Sequence, residues 1–302
     1  MTTLRLAHLS DPHLHFEAPA RTAGEWFSKR SLSRWSWARG RGALQKPEVL
    51  AAAVADIHAF APDHILVSGD ITNFSLPGEF SAAAEWLATL GPPRTVSAIP
   101  GNHDALVPLP WAEGLGKWRE WLHGDETTPE RFPYLRVRGE VALIGLSSAL
   151  PTPPGFASGE LGAAQLVRLE SLLNETRARG LCRVLTLHHP PADGVVPLRK
   201  ALRDRSAFRA VLARAGAELV LHGHSRDARF DPIPGPKGLI ASCGLPSISA
   251  IPNRLDEGAR WQLLEFGRTV SGWDIAVTVR VLNAARDGFE TAGRFRLAAP
   301  AQ

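Results

Sequence analysis

The sequence predicts an α/β protein with a large buried core, and two patterns support this fold class. From about residue 4 to residue 221, short apolar runs of strand length alternate with longer segments of helical character. In the last third the chain becomes rich in strands, and Ile275, Val277, Val279 and Val281 alternate along one of them. Hydrophobic residues make up 44% of the 302 residues and charged residues 21%, which is typical of a protein with a substantial core.

The predicted strands and helices follow one another in a regular order. Pro47 opens an alanine-rich helix, because proline in the first helical turn costs no hydrogen bond. Gly139 lies between two apolar runs and predicts a turn that joins two strands. The predicted helices are 47–60, 79–90, 162–179 and 206–215. The predicted strands are 4–9, 64–68, 95–99, 135–137, 141–146, 183–187, 218–221, 239–243, 261–266 and 273–282.

Composition and charge exclude several classes of protein. The longest apolar runs, such as 49–54 and 141–146, are far too short to span a bilayer, and residues 1–10 lack the pattern of a secretory signal. The two cysteines, Cys182 and Cys243, cannot form a disulfide framework, so we expect reduced core thiols and a cytoplasmic protein. A net charge of +4 suits an anionic substrate or an anionic surface.

The chain shows no internal repeat and no convincing linker, so we expect a single domain over residues 1–302. Two parts of this domain differ in composition from the rest. An insertion rich in basic and aromatic residues covers about 17–45, and a β-rich part covers about 237–298.

Polar residues that can bind metals follow five of the predicted strands. In α/β sheets, ligands bind beyond the carboxyl ends of strands, so these residues are expected to converge at one edge. Each group alone is typical of a turn, but five in succession predict a metal site. Oxygen and imidazole ligands together suit Mn, Fe, Zn or Ni better than Ca. The groups are Asp11-Pro12-His13, Gly69-Asp70, Gly101-Asn102-His103-Asp104, His188-His189-Pro190 and His222-Gly223-His224.

These five groups resemble, in order and spacing, the motifs of the calcineurin-like metallophosphoesterase superfamily, and the resemblance spans about 4–226. It implies a four-layer α-β-β-α sandwich and two divalent or mixed-valence metal ions (Mn, Fe or Zn). It further implies that Asp11 and His13 hold the first metal and that Asp70 bridges both. His103 would act as a general acid or a phosphate hydrogen-bond donor. The second metal would be held by Asn102, His188 and His224, and Asp104 would orient the ring of His103.

The last motif departs from the family pattern. The family usually has G-H-x-H, whereas this chain has Gly223-His224-Ser225-Arg226. The first metal could keep only Asp11, His13 and Asp70, His222 could replace the absent ligand, or Arg226 could bind substrate phosphate through its planar guanidinium. We favour the first interpretation and leave phosphate binding by Arg226 open. His189 is expected to face the substrate or to support the metal ligands.

The insertion permits two interpretations. Residues 26–41 could form a solvated cover over the sheet edge, pinned by their aromatic side chains. They could instead form a lid that attracts an anionic substrate, with a peripheral membrane or lipid contact through tryptophan and arginine. Base stacking is a further use of such residues, but nothing else indicates a nucleic-acid partner. A second basic run, made of Arg199, Lys200, Arg203 and Arg205, is expected to be a solvated helix face.

The predicted activity is metal-dependent phosphoesterase activity that uses a metal-activated water. Phosphodiesters are favoured because the chain resembles small bacterial-type members that begin with Leu-Ser-Asp-x-His. The basic-aromatic insertion suggests an alternative, a nucleotide-lipid pyrophosphatase of the lipid A synthesis type. A DNA exonuclease is a further alternative, although the chain has no long coiled-coil segment. A binding scaffold that has lost one metal through Arg226 is the non-enzymatic alternative, against which Asp70, Asn102, His103 and Asp104 argue.

Overall fold

The computed structural model describes residues 2–22, 24–126, 131–254 and 256–300. Within these ranges the strands are β1 Thr2–Leu9, β2 His64–Val67, β3 Val96–Ala98, β4 Tyr134–Arg138, β5 Val141–Gly145, β6 Cys182–Thr186, β7 Leu219–His222, β8 Arg229–Phe230, β9 Ile233–Gly235, β10 Gly238–Gly244, β11 Arg260–Thr269, β12 Gly272–Leu282 and β13 Phe289–Pro300. The α-helices are α1 Lys29–Ser36, α2 Gly42–Leu44, α3 Pro47–Ala59, α4 Pro77–Leu90, α5 Ala163–Ala178 and α6 Arg205–Ala215. Short 3₁₀ or π turns cover Gly24–Phe27, Trp37–Arg41, Trp111–Glu113, Leu115–Trp121 and Leu198–Lys200.

One sheet has the strand order β13-β12-β11-β1-β2-β3. Strands β1, β2 and β3 of this sheet are parallel. Their carboxyl ends are level because Leu9 pairs with Val67, and Val67 pairs with Ala98. The segments that follow these strands therefore leave the sheet side by side. They carry Asp11, Asp70 and Asn102.

The other sheet has the order β4-β5-β6-β7-β10-β8, and β9 pairs with β10. Its central strands β6 and β7 are also parallel, with Thr186 opposite Leu221. The segments that follow them carry His188 and His224. Each sheet thus delivers its polar motifs from the carboxyl ends of adjacent parallel strands, as ligand sites in α/β sheets do.

Three apolar layers hold the molecule together. Leu6 and Leu66 of the first sheet pack against Val184 and Leu221 of the second, which forms the layer between the sheets. Alternate residues of the first sheet face α3 and α4, and alternate residues of the second face α5 and α6. This is the α-β-β-α sandwich that the resemblance implies. Both faces of the central strands are buried, so these strands appear in the sequence as continuous apolar runs.

The predicted strands and helices are all present, with shifts of a few residues at their ends. The strands β8, β9 and β13 and the helices α1 and α2 of the insertion were not predicted. Cys182 and Cys243 are buried free thiols in β6 and β10, as predicted. Among the helices of the described ranges, none is long and apolar enough to cross a membrane.

Candidate metal centre

The motifs of the two sheets converge at one edge and form two groups of potential metal ligands. Asp11, His13 and Asp70 make one group, and Asp70, His188 and His224 make the other. In each group the candidate donor atoms lie within 4.8 Å of one another. Asp70 belongs to both groups, so it is the residue that two neighbouring ions would share.

Two potential donor atoms near the centre, on His188 and Asn102, are buried without a hydrogen-bond partner among the described residues. The Nδ1 atom of His188 donates to the carbonyl of Ser68 (2.7 Å), and its Nε2 lies 3.3 Å from Asp70 Oδ2. The Nε2 of His188 and the side-chain oxygen of Asn102 are buried, and neither has a hydrogen-bond partner among the described residues. The Nε2 of His224 bonds the carbonyl of Lys200 (2.9 Å), which leaves its Nδ1 for the cluster. Orphaned polar atoms of this kind fit a bound cation.

The first group is held by Asp11 and its neighbours. Oδ2 of Asp11 accepts hydrogen bonds from Ser10 Oγ (2.5 Å) and from the backbone N–H of His224 (3.2 Å). Its Oδ1 lies 3.8 Å from Nε2 of His13. The imidazole of His13 is buried, and its Nδ1 has no hydrogen-bond partner within the described ranges. Mixed carboxylate and imidazole donors of this kind suit transition metals.

The electrostatics of the cluster also fit a cation. Burial alone lowers the pKa of His188, but the carboxylates of Asp70 and Asp11 outweigh it and raise this pKa to about 10. Burial raises the pKa of Asp11 to about 6, and the nearby charge of Asp70 adds to this increase. The protein alone therefore favours a proton on His188, whereas burial lowers the pKa of His13 to about 3 and that of His224 well below its usual value. Since metal ligands must be deprotonated, a bound ion would displace the proton of His188.

Backbone geometry at the site is unusual. Asp11, His13, Asp70 and His224 all have positive φ, between 41° and 67°, which residues other than glycine adopt rarely. Such conformations cost free energy and concentrate at functional sites. Gly69 has φ +98°, and a β-carbon there would lie 2.7 Å from the backbone nitrogen of Gly101. The strand-end turns are thus shaped to bring the candidate ligands together.

Three polar side chains outside the motifs fix the loop that carries Asp11 and His13. Ser247 Oγ donates to the carbonyl of Asp11 (2.6 Å), and Ser249 Oγ donates to the carbonyl of Pro12 (2.7 Å). The Oε1 atom of Gln45 lies 2.8 Å from Ser247 Oγ and 2.5 Å from Ser249 Oγ, so this side chain packs against both serines. Neither Gln45 nor Ser249 could be identified from the sequence, because their role depends on contacts with residues far away in the chain.

The role predicted for Asp104 is wrong. Its carboxylate accepts hydrogen bonds from the backbone of Thr72 (2.8 Å) and Gly101 (2.8 Å), and from the Thr72 hydroxyl (3.0 Å). Asp104 therefore joins two strand-end loops. The ring of His103 is instead oriented by the carbonyl of Asn73, which accepts from Nδ1 (2.9 Å).

Arg41 of the insertion contacts the other nitrogen of His103. Its Nη1 lies 2.9 Å from His103 Nε2. Because arginine can only donate, Nε2 accepts this hydrogen bond and carries no proton. Burial and the charge of Arg41 lower the pKa of His103 well below its usual value. His103 could donate a proton from Nε2 only after Arg41 has moved away.

Two further histidines, His189 and His222, lie outside the two ligand groups. The ring nitrogens of His189 bond Ser148 Oγ (2.8 Å) and the carbonyl of Ala157 (3.1 Å), and its ring lies 4.5 Å from that of His224. These contacts favour the second of the two roles predicted for His189, which is support of the ligand His224. His222 belongs to neither ligand group, and its ring packs against Gly244. This arrangement argues against His222 as a replacement ligand.

A cavity of about 700 Å³ opens above the cluster. The candidate ligands Asp11, His13, Asp70, Asn102 and His224 line its base, together with His103. Its walls carry the cationic side chains Lys29, Arg39, Arg41, Lys200 and Arg226. Lys200 is thus part of the cavity wall, and its predicted place on a solvated helix face is wrong.

The insertion forms one wall of this cavity. Arg30 donates to the carbonyls of Phe74 (3.0 Å) and Ser75 (2.6 Å), and Ser33 donates to the carbonyl of Asn73 (3.0 Å). These bonds fasten α1 to the loop that follows Asp70. Arg41 was not identified from the sequence as a site residue, because its approach to His103 depends on how α1 and α2 fold over the sheet edge.

Comparison with known proteins agrees with this architecture. Residues 4–226 match the family model for calcineurin-like phosphoesterases. A probable cyclic nucleotide phosphodiesterase from a Synechococcus strain is 30% identical over 228 residues, which are 74% of this chain and 80% of that protein.

Two solved structures share the fold. A dimetal phosphatase from Danio rerio has a TM-score of 0.53 at 11% identity and covers 96% of this chain and 99% of its own. A purple acid phosphatase from yellow lupin has a TM-score of 0.61 at 13% identity and covers 97% of this chain and 53% of its own. Together with the sequence matches, these findings show that the chain belongs to the calcineurin-like phosphoesterase family.

Proposed function

We propose that the protein is a phosphodiesterase that works with two divalent or mixed-valence metal ions. One observation supports this most strongly: two ligand groups share Asp70, and they lie beneath an open cavity with buried, unpartnered donor atoms. The proposed ligands of the first ion are Asp11, His13 and Asp70, and those of the second are Asp70, Asn102, His188 and His224.

The chain's own side chains supply the remaining chemistry. When bound, the two ions provide a nucleophilic water at neutral pH and neutralise charge on the phosphoryl oxygens. Arg41 and Arg226 extend this positive field over the cavity, where fixed donors stabilise the charge of a phosphoryl transition state. Arg41 has no carboxylate partner at hydrogen-bond distance among the described residues, and its buried Nε lacks any hydrogen-bond partner there. A phosphate oxygen would satisfy it.

His103 acts after Arg41 has turned toward the substrate. The carbonyl of Asn73 keeps the ring in place through Nδ1, so Nε2 points into the cavity when Arg41 releases it. Without the charge of Arg41 beside it, the ring can take up a proton from solvent at Nε2, and from that position His103 would donate a hydrogen bond, or this proton, to an oxygen of the substrate. This role stays a prediction.

The size of the cavity and one relative support a phosphodiester as the substrate in this proposal. A cavity of about 700 Å³ leaves room for groups on both sides of the phosphorus. The Synechococcus relative is described as a probable cyclic nucleotide phosphodiesterase, which makes cyclic nucleotides one natural set of test substrates. Contact of residues 26–41 with a membrane surface stays a prediction.

The proposal can be tested with a chromogenic diester and its matching monoester. Bis(4-nitrophenyl) phosphate and 4-nitrophenyl phosphate are assayed with Mn, Fe, Zn and after chelation. We expect metal-dependent turnover with a preference for the diester. Asp193→Asn is the matched control for Asp70→Asn, because Asp193 is an exposed carboxylate away from the cavity. A preference for the monoester would contradict the phosphodiesterase proposal, and the absence of metal-dependent turnover would favour a binding scaffold.

A further inference from the structure

The mouth of the cavity carries large apolar side chains that are exposed to solvent. Leu32 is 45% exposed, Trp35 50% and Phe156 47%, and all three line the cavity. Single exposed apolar residues are common on protein surfaces, but several around one opening indicate a binding surface. Burying them against a ligand would release their hydration water.

These side chains are held on two separate walls. Trp35 lies on α1, and the guanidinium of Arg39 stacks on its ring at 4.3 Å. Phe156 lies in the segment 150–157, where Thr152 Oγ1 donates to the Phe156 carbonyl (2.8 Å). Lys29 of α1 donates to the same Thr152 hydroxyl (2.5 Å), which links the two walls. The two apolar surfaces therefore keep a fixed relation to each other.

The interior of the cavity differs sharply from its mouth. Among the described residues that line it, the carboxylates are Asp11 and Asp70, and both are proposed metal ligands. The cationic side chain of Arg39 lies exposed beside Trp35, and four others are half-buried in the cavity lining: Lys29, Arg41, Lys200 and Arg226. A ligand that matches this arrangement has an anionic end that enters the cavity and an apolar end that remains at the mouth.

We propose that the substrate is an amphiphile, a phosphodiester with a long alkyl or acyl chain attached near the phosphate. This inference rests on the proposed function and names its substrate class. The phosphate lies among the cationic side chains above the ligand groups, and the chain lies between Trp35 on one wall and Phe156 on the other. Leu32 extends the apolar surface on the side of α1.

A pair of diesters with the same leaving group tests the proposal. The substrates are 4-nitrophenyl methyl phosphate and 4-nitrophenyl octyl phosphate, below the concentration at which the octyl ester aggregates. We expect the octyl ester to have a KM lower by about tenfold or more, because each buried methylene strengthens binding. The value of kcat should be similar for both, since the reacting groups are the same.

The variants Trp35→Ser and Phe156→Ser remove the apolar surface from opposite walls. Each should lose most of the KM advantage of the octyl ester. Phe27→Ser is the matched control, because Phe27 is 96% exposed in the same insertion but does not line the cavity. The proposal is overturned if KM is independent of chain length, or if the advantage survives in both cavity variants. A clear preference for 3′,5′-cyclic AMP over the octyl ester would also overturn it.

A binding measurement separates this proposal from the proposed function. If no diester is hydrolysed, the proposed function fails. Calorimetry with methyl phosphate and octyl phosphate on the manganese-loaded protein then decides whether the cavity binds an amphiphile. Tighter binding of octyl phosphate that is lost in Trp35→Ser and Phe156→Ser supports the amphiphile. Equal binding of the two phosphates contradicts it.

Discussion

The two ligand groups of the candidate metal centre differ in completeness. The second combines Asp70 with His188 and His224, and the proposed function assigns to it the unpartnered oxygen of Asn102, which lines the same cavity. The first combines Asp70 with Asp11 and His13 alone. At the place where the family pattern supplies a further histidine, this chain has Arg226, which lines the same cavity. One subsite therefore has a fuller set of ligands than the other.

This difference indicates that position 226 binds substrate in this chain, whereas the family's histidine at this position binds metal. A guanidinium cannot bind a metal ion, and its permanent charge repels a cation nearby. It can bind a phosphate oxygen through its planar donors. We therefore expect the first ion to bind more weakly than the second, with a gain in substrate binding at the same place.

The largest expected effect comes from Asp70, which the two subsites share. Asp70→Asn should lower the turnover number by about a thousandfold, since both ions depend on this carboxylate. Asparagine tolerates the positive φ of 55° at this position, so the fold should persist. Turnover of the diester and metal content are measured together, and circular dichroism checks the fold. A variant that keeps both ions and its activity would show that Asp70 does not join the subsites.

The next effect concerns Arg41, which reaches the centre from the insertion. Arg41→Lys should lower kcat by about a hundredfold, because lysine keeps the charge but loses the fork that spans His103 and Ser33. Arg34→Lys is the control, since Arg34 pairs with Glu25 and does not line the cavity. Steady-state kinetics on the diester measures both. Equal, small changes in the two variants would remove Arg41 from the proposed substrate contacts.

A smaller effect is expected when the family's histidine is restored. In Arg226→His the first subsite gains an imidazole, and histidine is among the residues that tolerate the positive φ of 66° at this position. We expect stronger retention of the first ion, together with a KM that rises about tenfold because a charged hydrogen bond to phosphate is lost. Metal titration and kinetics on one preparation test both expectations. An unchanged affinity for both ions would contradict the proposed difference between the two subsites.

The sequence predicted the features that depend on the order of residues along the chain. Each apolar strand ends directly at its polar motif, so the convergence of Asp11, Asp70 and His188 follows from parallel strands with level ends. Strand β13 was not predicted because its sequence lacks a clear apolar pattern. It lies at the edge of its sheet and exposes Glu290, Arg294 and many of their neighbours. Its pairing with β12 is a tertiary contact with a weak local signal.

The features of the site that the sequence could not predict concern the direction of side chains. Whether the ring of His189 faces the cavity or the protein interior depends on the turn after β6, and Ser148 and Ala157 bind both of its nitrogens. The direction of the Asp104 carboxylate, toward backbone N–H groups, was also not predictable from the sequence. Nor was the position of Lys200 in the lining of the cavity. Arg41 lies 62 residues from its partner His103 in the chain, and no local pattern connects the two.

Stepwise removal of metal tests the central claim most directly. The protein is loaded with manganese, dialysed against increasing concentrations of a mild chelator, and analysed for metal per chain by mass spectrometry. If the subsites are unequal, the metal content should first fall to a plateau at one ion per chain. The remaining ion should be lost in a second step at higher chelator concentration. In Arg226→His the metal content should stay at a plateau of two ions per chain under the conditions of the first step. Loss of both ions in a single step, or full retention of both in the unmodified chain, would contradict the account.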